Sequence, residues 1–116
     1  MMENSILKTI RKMIGGEQNG TAFDTDLLVC INTAFQYLHQ IGVGPIDVFY
    51  IEGEEETWSD FIDETKYEAA KTYVFIRTKL LFDPPTNSSL LSAYKEEMRE
   101  AEWRLMVDAE ENVCSI

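Results

Sequence analysis

Three strings of helix breakers constrain this chain more than any other feature: Gly15-Gly16, Gly42-Val43-Gly44-Pro45 and Asp83-Pro84-Pro85. Glycine accepts the left-handed conformation that closes a helix. Proline removes a backbone donor and pushes the residue before it to extended geometry. The segments between these strings must therefore form separate elements joined by tight turns, and their hydrophobic spacing says of what kind.

Residues 5–14 read as a short helix, with Ile6, Ile10, Met13 and Ile14 at i, i+4, i+7 and i+8. Lys8, Arg11 and Lys12 share a second face, and Glu17 to Gly20 is a polar turn. Residues 25–41 read as the second helix, with Asp24 as N-cap, Asp26 in the first turn, and Leu27, Ile31, Ala34, Phe35, Leu38 and Ile41 as its stripe. Residues 64–82 read as the third. Tyr67, Ala70, Val74 and Leu81 make one stripe, but Tyr73-Val74-Phe75-Ile76 spread apolar surface around most of the circumference. A helix of that kind is buried on more than one side, which makes Tyr73, Phe75 and Ile76 candidates for a subunit interface. Residues 88–110 read as the fourth helix, opened by Thr86, Asn87 or Ser88. Its seam is Leu91, Tyr94, Met98, Ala101 and Leu105, and Glu96, Arg99, Glu100 and Arg104 lie opposite. The expected core is Leu27, Ile31, Leu38, Val74, Leu81, Leu91, Met98 and Leu105.

Between the second and third helices the pattern changes. Val48-Phe49-Tyr50-Ile51 is β-branched and aromatic and predicts a strand, Gly53 breaks it, and Thr57-Trp58 predicts a short return strand. The expected fold is therefore mainly α: a small up-and-down bundle of about four helices with a β-hairpin-like acidic loop between helices 2 and 3. With 116 residues, one domain spanning 1–116 is expected, large enough to bury roughly two-thirds of its unfolded surface. At 1.5 Å per residue the fourth helix is about 35 Å long against about 26–28 Å for the second and third. It should overhang them, leaving 107–116 as a flexible or partner-docking tail in which Val107, Val113 and Ile116 are the apolar anchors.

Charge narrows the function. The chain holds 10 Lys+Arg against 21 Asp+Glu, a net charge of -11. A grip on a polyanion is disfavoured, because phosphate binding draws on Lys and Arg and on counterion release; the Lys8/Arg11/Lys12 face reads better as solvated or acid-paired surface. From Asp47 to Thr65 stand eight acids (Asp47, Glu52, Glu54, Glu55, Glu56, Asp60, Asp63, Glu64) and no Lys or Arg. Such a loop resists packing against copies of itself, so Glu52, Glu54, Glu55 and Glu56 are expected to face water or a basic partner.

Catalytic and metal chemistry find little footing. Cys30 and His39 fall on opposite faces of one predicted helix, about 13 Å apart along its axis, so they make no nucleophile pair. Cys30 reads as a small core residue and His39 as an ordinary surface or interface residue. The acidic loop lacks the Asp-x-Asp-x-Asp-Gly order of a calcium site. With 21 acids, carboxylate pairs are always on offer and carry no information. Phosphate-loop, dinucleotide and G-x-S-x-G motifs do not occur. No catalytic residue, cofactor site or metal site is expected. Neither a signal peptide nor an apolar run of membrane-spanning length is visible, so a reducing compartment with Cys30 and Cys114 as free thiols is expected.

Four strings occur in order: Gly42-Val43-Gly44-Pro45 after a helix, Glu56-Thr57-Trp58-Ser59-Asp60-Phe61, Leu80-Leu81-Phe82-Asp83-Pro84-Pro85, and Glu102-Trp103-Arg104-Leu105. Through them the chain, over roughly residues 5 to 106, resembles the head–tail connector (adaptor) proteins of long-tailed bacteriophages and prophages. These strings mark turns and packing positions, so the resemblance transfers no site residue. It implies a small helical structural protein of the virion head–tail junction, assembled in the bacterial host cytoplasm. It implies a ring of roughly a dozen copies beneath the portal. That ring would extend the DNA channel without binding DNA specifically and would dock the next stopper or tail-completion component. No membrane and no cofactor enter this picture. The competing reading is an acidic DNA mimic or inhibitor that binds a host DNA-binding protein; it accounts for the charge but not for the apolar third helix.

Overall fold

The computed structural model describes residues 4–14 and 23–114, with side chains through Val107. The element order is α1 (Ile6–Ile14), α2 (Asp24–Gln40), α3 (Trp58–Phe61), a 3-10 turn (Glu64–Lys66), α4 (Tyr67–Phe82) and α5 (Ser88–Cys114). The Gly15-Gly16 stop and the polar turn after it fall outside the described residues.

Helix α4 is the centre of the bundle. It packs against α1, α2 and α5, which answers why its sequence is apolar nearly all round. Ala70, Tyr73, Val74, Ile76 and Thr78 are its buried residues. Against them lie Leu27, Ile31, Ala34, Phe35 and Leu38 of α2, Ile6, Leu7 and Ile10 of α1, and Ala101 and Leu105 of α5. Five of the eight expected core residues (Leu27, Ile31, Leu38, Val74, Leu105) are buried, and Met98 packs half-buried against the core. Leu91 is half-buried, and Leu81 is 54% exposed. The buried stripe leaves the expected path at Thr78: Ala70, Val74 and Thr78 step by four along one face, while Leu81 sits in the last turn beyond the neighbours that cover Val74.

The expected β-hairpin is absent. Among the described residues there is no β-strand, only an isolated antiparallel bridge between Ser5 and Thr57. Thr57-Trp58, read as a return strand, instead starts α3: the Asp60 carboxylate reaches back to accept the Thr57 N–H at 2.9 Å, the acidic half of a capping box. Segment 48–51 is extended but pairs with no strand. The Asn32 side chain on α2 takes over the strand's role, its Oδ1 accepting the Ile51 N–H at 2.7 Å and its Nδ2 donating to the Ile51 carbonyl at 2.9 Å. The loop is further held by its aromatic side chains. Phe35 meets Phe61 at 4.7 Å and Phe49 at 5.0 Å between ring centroids, and Phe49 meets Phe61 at 5.2 Å. Trp58 is fully buried with its indole N–H donated to Thr9 Oγ1 at 3.2 Å.

The turn after α2 depends on two glycines with positive φ, Gly42 at 84° and Gly44 at 99°. At Gly44 a Cβ would stand 2.5 Å from the Phe61 ring, so the residue is needed both for its backbone conformation and for the close approach of α3.

Candidate functional site

The chemistry-bearing residues of the chain do not converge on a reactive centre. Cys30 is half-buried on α2, and burial followed by the nearby Asp26 charge pushes its thiol above the ordinary value, away from thiolate reactivity. His39 is exposed, with Nε2 3.0 Å from the Ile46 carbonyl. The two are not brought together. The Cys114 side chain lies outside the described residues. Among the described residues no group of three or more His, Cys, Asp or Glu is placed to hold a metal ion.

The acidic loop is more ordered than its composition suggests. Arg11 of α1 binds Asp24 of α2 through Nε and Nη2 at 3.1 and 2.8 Å, and its Nη2 also reaches Glu54 at 2.7 Å. These hydrogen bonds, to Asp24 first and Glu54 second, hold the guanidinium above its ordinary pKa. Lys8 stands 4.0 Å from the same Glu54. Two of the three residues of the basic face of α1, Lys8 and Arg11, are thus paired to this chain's own acids, and Lys12 is exposed. Glu56 turns inward and accepts the backbone N–H groups of Glu52 and Gly53. Of the four acids expected to face outward, Glu52, Glu54 and Glu55 are exposed, Glu54 while paired with Arg11 and Lys8 of α1, and half-buried Glu56 braces its own loop.

An open cleft runs between the Gly42–Pro45 turn and residues 59–63, with Lys66 and Leu105 also lining it. Its two acids are already engaged. Asp60 caps α3, and Asp63 accepts the Thr65 hydroxyl at 2.7 Å and its N–H at 3.3 Å, contacts that draw its carboxyl below the usual range. With both acids engaged, Lys66 is left as a single ammonium at the cleft, not the convergent set of polar groups that a small-molecule site needs.

The third predicted helix places its candidate interface residues as follows. Tyr73 and Ile76 are buried within the subunit, at 1% and 2% exposure. Phe75 is half-buried and meets Tyr94 of α5 edge-on at 6.1 Å. Burial raises the Tyr73 phenol pKa, opposed by Arg77, whose Nε donates to the Tyr73 hydroxyl at 3.1 Å. The Arg77 guanidinium also lies over the Tyr37 ring at 4.0 Å, joining α4 to α2. Val107 is half-buried near the end of α5, and the Val113 and Ile116 side chains lie outside the described residues.

Several large apolar side chains are also exposed. Ile46, Val48 and Tyr50 are 96%, 45% and 57% exposed at alternate positions of the extended segment, while Phe49 and Ile51 point into the aromatic cluster. Trp103 is 63% exposed on α5. Sequence patterning had assigned the loop's importance to its acids and had assigned Trp103 no role. The alternation of Ile46, Val48 and Tyr50 was legible, and an aromatic within the charged side of the α5 pattern was the available signal for Trp103.

A family model described as phage connector protein matches residues 6–112. No curated protein and no solved structure matches the chain.

Proposed function

Given that the chain belongs to the phage connector protein family, whose members are structural rather than catalytic, we propose that it is the adaptor of a head–tail junction. It assembles as a ring of roughly a dozen copies beneath the portal. The ring extends the DNA channel and gives the next stopper or tail-completion protein a surface to dock on. The observation that carries the reading is the reach of the family match, from α1 almost to the end of α5. The geometry supports it in two ways. Large apolar side chains on an extended arm and on the longest helix are left outside a well-filled core, as expected for a protein completed by neighbours. The net charge of -11 suits a wall along which DNA slides rather than sticks.

The DNA-mimic reading is weakened by where the acids sit. Such a mimic needs carboxylates arrayed for an incoming basic protein, whereas Asp24 and Glu54 are bound by Arg11 and Glu56 by its own loop. Deletion of the gene from the phage or prophage tests the proposal. Heads and tails that accumulate unjoined, and that join when the purified protein is added, are the expected result. Infectious particles produced at the parental level without the gene would refute it.

A further inference from the structure

We propose that the ring contact joins the arm Ile46–Tyr50 of one copy to the outward face of α5 around Trp103 in the next copy. The inference rests on the ring reading above and assigns its interface. The arm is strapped to α2, since Ile51 is bound by Asn32 and the Ile46 carbonyl by His39. Helix α4 packs against both α2 and α5. The arm is tied to α2, whereas Trp103 is exposed on the side of α5 away from its buried Leu105, so the two are separate surfaces of the subunit. One copy can therefore offer its arm to a neighbour while receiving another arm on α5, the heterologous arrangement from which rings close.

The two surfaces complement each other in both polarity and charge. The arm carries the exposed Val48 and Tyr50 with the exposed acids Asp47 and Glu52 beside them. On α5, Lys95, Arg99 and Trp103 step by four along one side, and Arg104 follows. All four are exposed. Glu96 and Glu100 share this surface, bound to Arg99 at 3.1 Å and Arg104 at 2.8 Å. Pairs this exposed contribute little, so the two guanidinium groups are free to exchange them for the neighbour's acids. A chain of net charge -11 repels its copies unless acids meet cations at the contact, and this pairing brings them together. Trp, Tyr and Arg are also the residue types that dominate interface energetics.

Proximity in the assembled ring tests the assignment. In a background carrying Cys30→Ala and Cys114→Ser, the substitutions Glu52→Cys and Glu100→Cys, which flank the contact and keep its Tyr50 and Trp103 anchors, are combined. The protein is assembled on portal-bearing heads and treated with a short bifunctional thiol reagent. A ladder of covalent multimers is expected from the double variant and none from either single one. Rings that form without a ladder overturn the interface and leave the ring reading standing. Heads on which the unsubstituted protein forms no ring overturn both. Arg99→Glu with Arg104→Glu gives a second readout on residues outside the core. Ring formation should weaken at least about tenfold with the melting temperature unchanged; unaltered assembly counts against the interface.

Discussion

Ile51 is 2% exposed in a segment with no strand beside it, and the Asn32 side chain supplies both hydrogen bonds that a neighbouring strand would have made. This single residue converts a β-like sequence into a loop pinned across α2. Replacing it leaves a buried N–H and a buried C=O without partners. Asn32→Ala is therefore expected to cost about 1–3 kcal/mol in urea denaturation, and to expose the 46–53 loop to limited proteolysis while the helical circular dichroism persists. A variant as stable and as protease-resistant as the parent would show that the aromatic cluster alone holds the loop. Tyr73 and Arg77 illustrate the same economy of side chains. The phenol and guanidinium bind each other, and Tyr37 covers the guanidinium, so an interior tyrosine and a cation join α4 to α2 without an ion pair between them.

The helices were legible because their apolar residues repeat with the helical period and their ends are marked by glycine and proline. The α2 stripe from Leu27 to Leu38 is buried as its spacing requires. The loop between α2 and α4 was not legible in the same way. Val48-Phe49-Tyr50-Ile51 does alternate, but alternation does not reveal whether the partner is a strand or an asparagine on a helix. Thr57-Trp58-Ser59-Asp60 contained a helix-start signal, which β propensity at Thr57 and Trp58 obscured. Leu81 was expected in the core because it lies seven residues after Val74, whereas the buried face continues through Thr78. Thermal denaturation separates these assignments. Leu38→Ala and Leu105→Ala should each cost about 2–5 kcal/mol, and Leu81→Ala should stay within about 0.5 kcal/mol. Equal losses at all three positions would contradict the burial described.

Helix α5 spans 27 residues against 16 for α4, its principal packing partner, and therefore overruns it by several turns. Asp108, Glu110 and Glu111 place negative charge toward the negative end of the helix dipole, which disfavours the last turns by a few tenths of a kcal/mol each. A segment that costs the subunit stability is explained if another molecule holds it. Deletion of residues 108–116 should leave the melting temperature almost unchanged and abolish attachment to portal-bearing heads. Attachment at the full-length level would reduce the segment to a tail.

At the scale of the whole molecule, the distribution of interactions fits a part rather than a machine. Buried aromatics and aliphatics fix the shape, the basic face of α1 neutralises the acids nearest to it, and no side chains converge on a reactive point among the described residues. Membership of the family was legible in the sequence only as a resemblance carried by turn and packing strings, because a structural protein of this kind has no catalytic motif to read. The arm and Trp103 leave apolar surface exposed, which the proposed ring would cover with neighbouring copies. Imaging tests that placement most directly: portal-bearing heads from phage lacking this gene are compared by cryo-electron microscopy before and after addition of the purified protein. A new ring of density beneath the portal, following the portal's cyclic symmetry and accommodating helices of these lengths, is the predicted result. Heads whose portal vertex is unchanged by saturating protein would contradict the account.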